Sequence, residues 1–381
     1  MKALKNIKKI AVGLSGGVDS AVAALTLKRN GFEIVGVFMK NWDLLDETGI
    51  CSVEKDLIDA VYICDKLGIS FHEVNFVKHY WNEVFSELIQ DYEMGLTPNP
   101  DILCNKRIKF NHFFDFAIKH LGCDAIATGH YAQSSYGGNF EKCPELGVKL
   151  YKALDQNKDQ TFFLSQIPQH ALKRTIFPLG VLTKNKVKSI AFENKLEKIA
   201  SKKESMGMCF IGNRNFKRFI EDYIKPQRGN LLDVDSGKVI GTHFGKHTWT
   251  IGQRCNLGGL KQPYYIAQKS SNQDIWAAIG HNHPTLYTNS LTTDKPYWIY
   301  QEPFELSSSR IMVCDFRFQH REPLVNCSVL KLYNGGLHIV LQSYLRAVTP
   351  GQYAVFYKGQ ECLGSAKILS PGPSQRSCGI R

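Results

Sequence analysis

The sequence predicts an α/β protein: a doubly wound parallel sheet in the first half, followed by a small β-rich central domain and a C-terminal β-barrel. Three observations support this prediction. Apolar, β-branched segments alternate with helical periods as far as residue 131, a mainly helical and basic region runs from 155 to 224, and short alternating strands follow Gly229. The chain has 381 residues, more than one hydrophobic core usually organises, so two or three domains are expected.

The elements of the first half follow from apolar runs and their periods. Strands are predicted at 7–14, 32–39, 71–76 and 124–131, and helices at 18–29, 53–67, 80–92 and 102–121. Strands and helices in alternation indicate a parallel sheet, whose ligand binds at the carboxyl ends of the strands. The polar, glycine-rich segment 134–147 is expected to form an exposed loop.

The second half has the glycine-punctuated, alternating pattern of short strands. One β-rich region follows Gly229, and a second runs from about 289 to 369. The segment HNHPTLY, 281–287, lies between them and is predicted to be a linker. A hairpin is expected around Asn334, Gly335 and Gly336.

Charge is concentrated in one part of the chain. Lys and Arg number 47 against 35 Asp and Glu, a net charge of +12, and residues 168–225 hold 13 basic and 5 acidic residues. Such clustering favours a nucleic-acid partner because a positive field raises the encounter rate with phosphates. For any single lysine of this segment, a solvated surface position is the alternative.

The cysteine pattern and the N-terminus bear on the cellular compartment. Eleven cysteines occur without a CxxC spacing, so neither a zinc ribbon nor a thioredoxin motif is indicated, and a reducing compartment is expected. The first ten residues carry four lysines and no acid, as a fragment of a mitochondrial targeting helix would. No apolar run approaches the roughly 18 residues of a membrane span, so no membrane partner is predicted.

Residues 12–20, VGLSGGVDS, lie between a predicted strand and a predicted helix. Glycine amides approach an oxyanion closely, and serine hydroxyls and the helix N-terminus complete a phosphate site. The lysine of a Walker A loop, which reaches the β and γ phosphates, is absent here. An ordinary tight turn is the alternative interpretation.

The pattern SGGxDS resembles the PP-loop of the ATP pyrophosphatases. That resemblance implies a loop that holds the β and γ phosphates as a leaving group while the α phosphorus is attacked, so that the substrate is adenylated. Asp19 is expected to help hold Mg²⁺, since oxygen ligands and phosphates suit that ion. No other metal site is predicted.

Two cysteines have surroundings that favour the thiolate. Cys104 lies in TPNPDILCNKRIKF, in the predicted first turn of a helix and close to three cations, and Asp101 is expected to cap that helix. Cys209 lies in KKESMGMCFIGNRNFKRF among five cations. For either cysteine alone, a buried structural position is the alternative. Together with an adenylating loop, the two thiols indicate sulfur transfer: one carries a persulfide and the other attacks it.

Seven segments together resemble the tRNA-specific 2-thiouridylases, and the form KESMGMCFIG is similar to their mitochondrial branch. They span most of the chain in the family's order: GLSGGVDSAVAA, GVFMKNWD, TPNPDILCNKRIKF, ATGHYA, KDQTFFLSQ, MGMCFIG and GQYAVFYKGQECLGSAKIL. The resemblance implies ATP-dependent replacement of the C2 oxygen of the wobble uridine, position 34, by sulfur in a subset of tRNAs. It also implies a mitochondrial location and a persulfide donor derived from a cysteine desulfurase.

The resemblance assigns roles position by position. Cys104 is the nucleophile and Cys209 the persulfide carrier, with Asp101 a candidate general acid or base. The ATP-binding residues are Gly13, Leu14, Ser15, Gly16, Gly17, Val18, Asp19, Ser20, Met39 and Gly129. The target base meets Asn99, Pro100 and Asp101. The tRNA contacts are His130, Lys158, Asp159, Gln160, Arg317, Phe318 and Gln352.

Phe318 stands where the family has Tyr, so a hydroxyl is lost and stacking on RNA is the remaining interaction. The family also implies a catalytic domain at 1–212, a central β domain at 213–288 and a C-terminal barrel at 289–381, in agreement with the composition breaks near 213 and 289. The basic helices of 168–225 are then expected to grip the anticodon arm.

Two other functions are compatible with parts of the sequence. An amide-forming PP-loop synthetase would adenylate a small substrate and use ammonia, but it leaves Cys104, Cys209 and the basic segment unexplained. A nucleotide-binding RNA module without catalysis would bind ATP but release no pyrophosphate in the presence of tRNA.

Overall fold

The computed structural model describes residues 7–43, 52–203, 216–258 and 262–378. The strands of the first half are β1 (Lys9–Leu14), β2 (Glu33–Lys40), β3 (Ser70–Asn75), β4 (Ala125–Thr128), β5 (Gln133–Ser134), β6 (Leu150–Tyr151) and β7 (Thr175–Ile176). The helices are α1 (Val18–Arg29), α2 (Ser52–Leu67), α3 (Val77–Tyr80), α4 (Ser86–Glu93), α5 (Pro100–Leu103), α6 (Phe113–Lys119), α7 (Gln169–Leu172), α8 (Lys184–Glu193), α9 (Glu197–Ala200) and α10 (Phe216–Glu221). Two π-helical segments, Trp81–Phe85 and Cys104–His112, join α3 to α4 and α5 to α6.

The second half is almost entirely β structure. Its strands are β8 (Gly229–Asp233), β9 (Val239–His243), β10 (Arg254–Cys255), β11 (Tyr264–Lys269), β12 (Ile275–Ile279), β13 (Tyr287–Thr293), β14 (Tyr297–Trp298), β15 (Ile311–Arg317), β16 (Val325–Lys331), β17 (Leu337–Arg346), β18 (Tyr353–Lys358) and β19 (Glu361–Pro371). One short helix, α11 (Phe304–Ser308), precedes β15.

The parallel sheet confirms the predicted doubly wound fold. Within the described residues its strand order is β3-β2-β1-β4-β7, and every neighbouring pair is parallel. The strand order reverses at β1, which pairs with β2 on one side and β4 on the other. Such a switch point opens a crevice at the carboxyl ends of the strands. The PP-loop residues follow β1 at this point, as predicted.

The C-terminal sheet closes into a barrel. In the part of the chain that the structure describes, six strands form the ring β13-β17-β16-β15-β18-β19, because β13 pairs with both β17 and β19. The predicted hairpin joins β16 to β17, and Gly335 supplies its left-handed residue at φ +87°. A separate sheet of order β10-β11-β12-β8-β9 forms the central β-rich region.

Two expectations for the middle of the chain are corrected. The segment 134–147 is only partly an exposed loop, because Tyr136 and Phe140 are buried and Ser134 belongs to β5, which pairs with β6. Residues 155–168 form turns rather than helix. There the side chain of Asp159 accepts hydrogen bonds from the Ala153 amide and the Thr161 hydroxyl, partners that compete with helical hydrogen bonding.

None of the helices in the described ranges combines the length and the apolar character needed to span a bilayer.

Candidate active site

The loop after β1 has the geometry of a phosphate cradle. Gly16 adopts φ +69°, and a Cβ atom there would lie 2.5 Å from the backbone oxygen of Asp56, so only glycine fits. Gly17 caps α1 without a side-chain hydrogen bond, which leaves the first-turn amides of the helix for a ligand. The Ser20 hydroxyl accepts from the Ser15 amide at 3.2 Å and donates to the Gly17 oxygen at 3.0 Å. These features fit an oxyanion such as a nucleotide phosphate.

The other predicted ATP-binding residues meet this loop at the carboxyl ends of β2 and β4. A Cβ atom on Gly13 would lie 3.1 Å from the Met39 methyl carbon, and one on Gly129 would lie 2.7 Å from the Ser20 amide nitrogen. Leu14 and Val18 are buried, so only their backbone is available to a nucleotide. The structure therefore brings all ten residues together around one loop.

Lys184, at the start of α8, provides a cation beside the loop. Its Nζ lies 2.7 Å from both carboxylate oxygens of Asp19, and the Tyr131 hydroxyl donates to Asp19 at 2.8 Å. The Lys184 side chain is 10% exposed, whereas that of Asp19 is 34% exposed. Lys184 belongs to the basic segment 168–225, for which RNA binding was predicted, but its ammonium group contacts the PP-loop instead. The only sequence signal was a Thr183 N-cap preceding an apolar helix face.

The contacts of Asp19 leave room for its predicted role as an Mg²⁺ ligand. Its two oxygens accept hydrogen bonds from Lys184, and one also accepts from Tyr131, so three of the roughly four lone-pair positions of the carboxylate are used. The Asp19 side chain is 34% exposed. The assignment of Mg²⁺ to Asp19 stays a prediction.

The loop before Cys104 is organised by Asn99 rather than Asp101. Asn99 is the N-cap of α5 and accepts from the Ile102 amide at 3.4 Å, while Pro100 occupies the first helical position. The predicted N-cap at Asp101 is wrong: proline suits the N1 position, so the cap is the residue before Pro100, two positions before Asp101. The Asp101 side chain is instead exposed, which leaves its carboxyl available for chemistry.

Burial and charged neighbours act in opposite directions on the pKa of Asp101. Protein atoms around the carboxyl raise its pKa by desolvation, although the side chain reaches solvent, and the positive charges of Lys109 and His320 act in the opposite direction. A carboxyl with a raised pKa exchanges protons closer to neutral pH than an ordinary aspartate. Lys109 is one of the three cations that the sequence places near Cys104, in the helical unit that follows Asp101. His320 was not identified from the sequence because it approaches from the segment after β15, and that approach depends on the fold.

Cys104 starts the π-helical segment and is 6% exposed. Asn105, the next residue, is buried and donates to the Phe163 backbone oxygen at 3.1 Å. Lys106 donates to Gln166 at 2.9 Å, and burial lowers the pKa of Lys106. Cys209 lies outside the described residues, so its position relative to Cys104 stays a prediction.

The helical unit that carries Cys104 also contacts the nucleotide loop. A Cβ atom on Gly13 would lie 3.5 Å from a ring carbon of Phe113, and Phe110 packs against His130 with ring centroids 5.8 Å apart. The cysteine loop and the phosphate cradle are thus parts of one packed unit.

The barrel contacts the same loop through Gln352. Its amide nitrogen donates to the backbone oxygens of Thr97 at 2.8 Å and Pro98 at 3.3 Å, and its side-chain oxygen lies 3.4 Å from the Asn99 amide nitrogen. The Thr97 amide also donates to the Pro350 oxygen at 3.0 Å. The barrel therefore fixes the segment that the sequence assigns to the target base.

Several predicted tRNA contacts are occupied inside the protein. Arg317 pairs with Asp159 at 2.9 Å and donates to the Tyr357 hydroxyl at 3.1 Å, and Asp159 is 2% exposed. His130 is buried and hydrogen-bonds Thr128 at 2.8 Å, and burial lowers its pKa well below the usual value.

Phe318 is 4% exposed and stacks on Phe316 in the barrel core, so the expected stacking of Phe318 on RNA does not fit this structure. Lys158 and Gln160 flank Asp159 and are half-buried, with their surfaces partly available.

Three family models match consecutive parts of the chain: the tRNA methyl transferase HUP domain over 8–213, the tRNA methyl transferase PRC-barrel domain over 217–276 and the aminomethyltransferase β-barrel domain over 288–368.

Curated relatives match nearly the whole chain. Human mitochondrial tRNA-specific 2-thiouridylase 1 is 50% identical, covering 97% of this chain and 92% of that protein. The Drosophila melanogaster protein of the same name is 49% identical, covering 97% and 96%. tRNA-specific 2-thiouridylase MnmA of Alkaliphilus oremlandii is 41% identical, covering 94% and 96%. The chain therefore belongs to the tRNA-specific 2-thiouridylase family and is a tRNA-modifying sulfurtransferase.

Proposed function

We propose that this enzyme performs the ATP-dependent 2-thiolation of the wobble uridine, position 34, in a subset of mitochondrial tRNAs. The observation that carries the proposal is the packing of the Cys104 helical unit against the glycine cradle, through Phe113 on Gly13. This contact supports the proposal because it joins the helical unit of Cys104, the proposed nucleophile, to the loop proposed to bind the nucleotide phosphates. The names of the relatives supply the substrate class and the compartment.

In the first step the C2 oxygen of the uracil attacks the α phosphorus of ATP, and pyrophosphate leaves. Amides of residues 15–18 would hold the departing phosphates, and Lys184 would add a positive charge next to them. The Asn99–Asp101 loop would hold the base. Asp101 would exchange a proton with the uracil as its C2 oxygen becomes nucleophilic.

In the second step sulfur replaces the adenylated oxygen. A cysteine desulfurase-derived donor would load Cys209 with a persulfide, and the Cys104 thiolate would attack the Cys209 sulfur. That attack releases hydrosulfide and leaves a Cys104–Cys209 disulfide. Hydrosulfide adds to C2 and AMP leaves with its electron pair. A dithiol reductant must then return two electrons to the disulfide before the next cycle.

A Cys104→Ser variant tests this assignment. We expect its ATP affinity to stay within about twofold of the original, since the PP-loop is untouched, while 2-thiouridine formation is lost, because a hydroxyl at neutral pH is a far weaker nucleophile than a thiolate. The measurement is mass spectrometry of tRNA nucleosides after incubation with ATP and a persulfide donor. Cys378→Ser, at an exposed position, is the matched control.

Three outcomes would contradict the proposal. Thiolation by Cys104→Ser at the original rate would show that Cys104 is not the nucleophile. ATP-dependent incorporation of labelled ammonia into a small molecule, with no thiouridine, would instead identify an amide-forming synthetase. ATP binding without tRNA-stimulated pyrophosphate release would indicate an RNA-binding module without catalysis.

A further inference from the structure

A cavity of about 730 Å³ lies between the segment after α4, the central sheet and the barrel. One wall is the segment 94–97 that follows α4. A second comes from the central sheet, around β11, and a third from the barrel. The barrel residues in the wall fall in 285–288, 347–350 and 369–377. The cavity is separate from the PP-loop crevice, because none of its lining residues belongs to that loop.

The charged side chains among the described residues that line this cavity are all basic. Its described lining residues include Lys246, Lys269 and Arg376 and no aspartate or glutamate. Arg376 is neutralised by Asp235 at 2.6 Å. By contrast, Lys269 donates to the Gly95 backbone oxygen at 2.7 Å, and Lys246 donates to the Ser270 backbone oxygen at 3.4 Å. Within the described ranges, neither ammonium group has a carboxylate at ion-pair distance.

The positive charges of Lys246 and Lys269 are therefore not balanced by a carboxylate of the described residues, although both side chains are half-buried. Burial, together with the positive charge of Lys246, lowers the pKa of Lys269 to about 7. A bound anion would offset both effects. The hydroxyls of Thr97 and Thr285, also in the wall, are buried and have no hydrogen-bond partner among the described residues, so the wall holds neutral donors as well as cations.

The cavity adjoins the segment assigned to the target base. Thr97 lies in its wall, and only Pro98 separates Thr97 from Asn99. On the barrel side Pro350 is also in the wall, two residues before Gln352, which hydrogen-bonds both Thr97 and Pro98. An RNA strand that presents a base to Asn99–Asp101 therefore carries its neighbouring phosphates past this cavity.

We propose that the cavity binds a backbone phosphodiester of the RNA strand next to the target nucleotide, with Lys246 and Lys269 as its cationic ligands. The inference rests on the proposed function, because it takes the position of the target base from it. It adds to that function a contact made by the central β-rich region, which contributes no residue to the cysteine loop or to the PP-loop. A pair of half-buried lysines that line one cavity suits one phosphate group, whereas a broad basic surface would attract a whole duplex.

The test is the affinity of the full chain for an anticodon stem-loop RNA, measured over a range of salt concentrations. We expect Lys246→Gln combined with Lys269→Gln to weaken binding about tenfold. The salt slope should fall by about 0.7, the value for one phosphate contact in a single strand. Lys246→Arg combined with Lys269→Arg should retain the slope, because the charge is kept. Lys238→Gln, at an exposed position on the same domain, is the matched control.

A second measurement identifies the phosphate. Replacing single phosphodiesters near the target base by neutral methylphosphonates should weaken binding to the original protein about tenfold at one position. The double Gln variant should show no further loss at that position, as expected when both changes remove the same contact. Melting temperatures of the variants report whether the cavity still folds.

The outcomes separate the inference from the proposed function. Equal RNA affinity and equal salt slope for the folded Gln variant would overturn the inference alone. So would stabilisation of the original protein, but not the variant, by inorganic phosphate when RNA affinity is unchanged; that result would identify a small-anion site. Failure of the original protein to bind the RNA at all would overturn both.

Discussion

Lys184 brings an ammonium group to the PP-loop, which contains no lysine of its own. Lys184 reaches Asp19 across a sequence separation of 165 residues, and the two side chains are held together within hydrogen-bond distance. A cation in this position would stabilise negative charge that develops on the leaving phosphates, in the way that preorganised donors stabilise an oxyanion. The loop and α8 therefore form one site, and residues 13–20 are only part of it.

We expect Lys184→Met to reduce tRNA-dependent pyrophosphate release about 100-fold, the scale seen when one preorganised donor is removed. The variant also leaves Asp19 without its cationic partner. The measurement is the initial rate of pyrophosphate release at saturating tRNA. Lys186→Met, at an exposed position on the same helix, should keep the original rate. An unchanged rate in Lys184→Met would exclude a role for this ammonium group in adenylation.

At the scale of elements, part of the basic segment serves to hold the catalytic domain together. Lys198 and Lys202 pair with Asp59 of α2 at 2.8 and 2.9 Å, and Lys202 also pairs with Asp56 at 2.7 Å. These contacts join α2 to α9 and the residues after it. The predicted RNA-binding surface of 168–225 is therefore smaller than its net charge indicates, because three of its lysines have carboxylate partners inside the protein.

Asp59→Asn should lower the free energy of unfolding by about 1 kcal/mol at pH 7, a value kept small because solvent screens the pair. Burial acts to raise the pKa of Asp59, but hydrogen bonds from Lys198 and Lys202 outweigh it and lower that pKa. The stabilisation is thus present above the ordinary aspartate pKa and is lost as pH falls through the lowered value.

Urea unfolding of Asp59→Asn at pH 7 and at about pH 3 measures the difference, with Asp65→Asn on the exposed face of α2 as the control. A loss of stability that is the same at both pH values would show that the ion pairs are not its source.

At the scale of the whole molecule, the barrel completes the catalytic domain. β6, from the first half of the chain, pairs with β19, and Lys367 of the barrel pairs with Asp91 of α4 at 2.6 Å. Gln352 then fixes Thr97 and Pro98 immediately before the target-base residues. Three contacts of different kinds thus hold the two domains in one arrangement.

Gln352→Ala removes three hydrogen bonds between the barrel and the target-base loop. We expect thiolation to fall about tenfold, because a small misplacement of reacting groups is costly, while ATP affinity stays unchanged. Gln360→Ala, at an exposed position in the turn between β18 and β19, is the control. Normal thiolation by Gln352→Ala would mean that the loop keeps its geometry without the barrel contact.

The fold of the first half was largely predictable because its signals are local. Apolar periodicity located α1 at its observed bounds and β1, β2 and β3 to within about two residues. The closure of the barrel was harder to predict, because it depends on β13 pairing with two strands that are distant in sequence. Turns at 155–168 replaced the predicted helix because the buried carboxylate of Asp159 organises the backbone around itself.

The chemistry was predictable from the sequence alone, through a glycine loop for phosphates, two cysteines in basic surroundings, and motifs in an order typical of a tRNA thiouridylase. Which charges act at the site depends on tertiary contacts. The tertiary structure brought Lys184 to Asp19, moved the helix cap from Asp101 to Asn99, placed Phe318 in the core and assembled a lysine-lined cavity beside the target-base loop. Residue types and short spacings can be read from the sequence, whereas charge partners and burial depend on contacts between segments that are often more than a hundred residues apart.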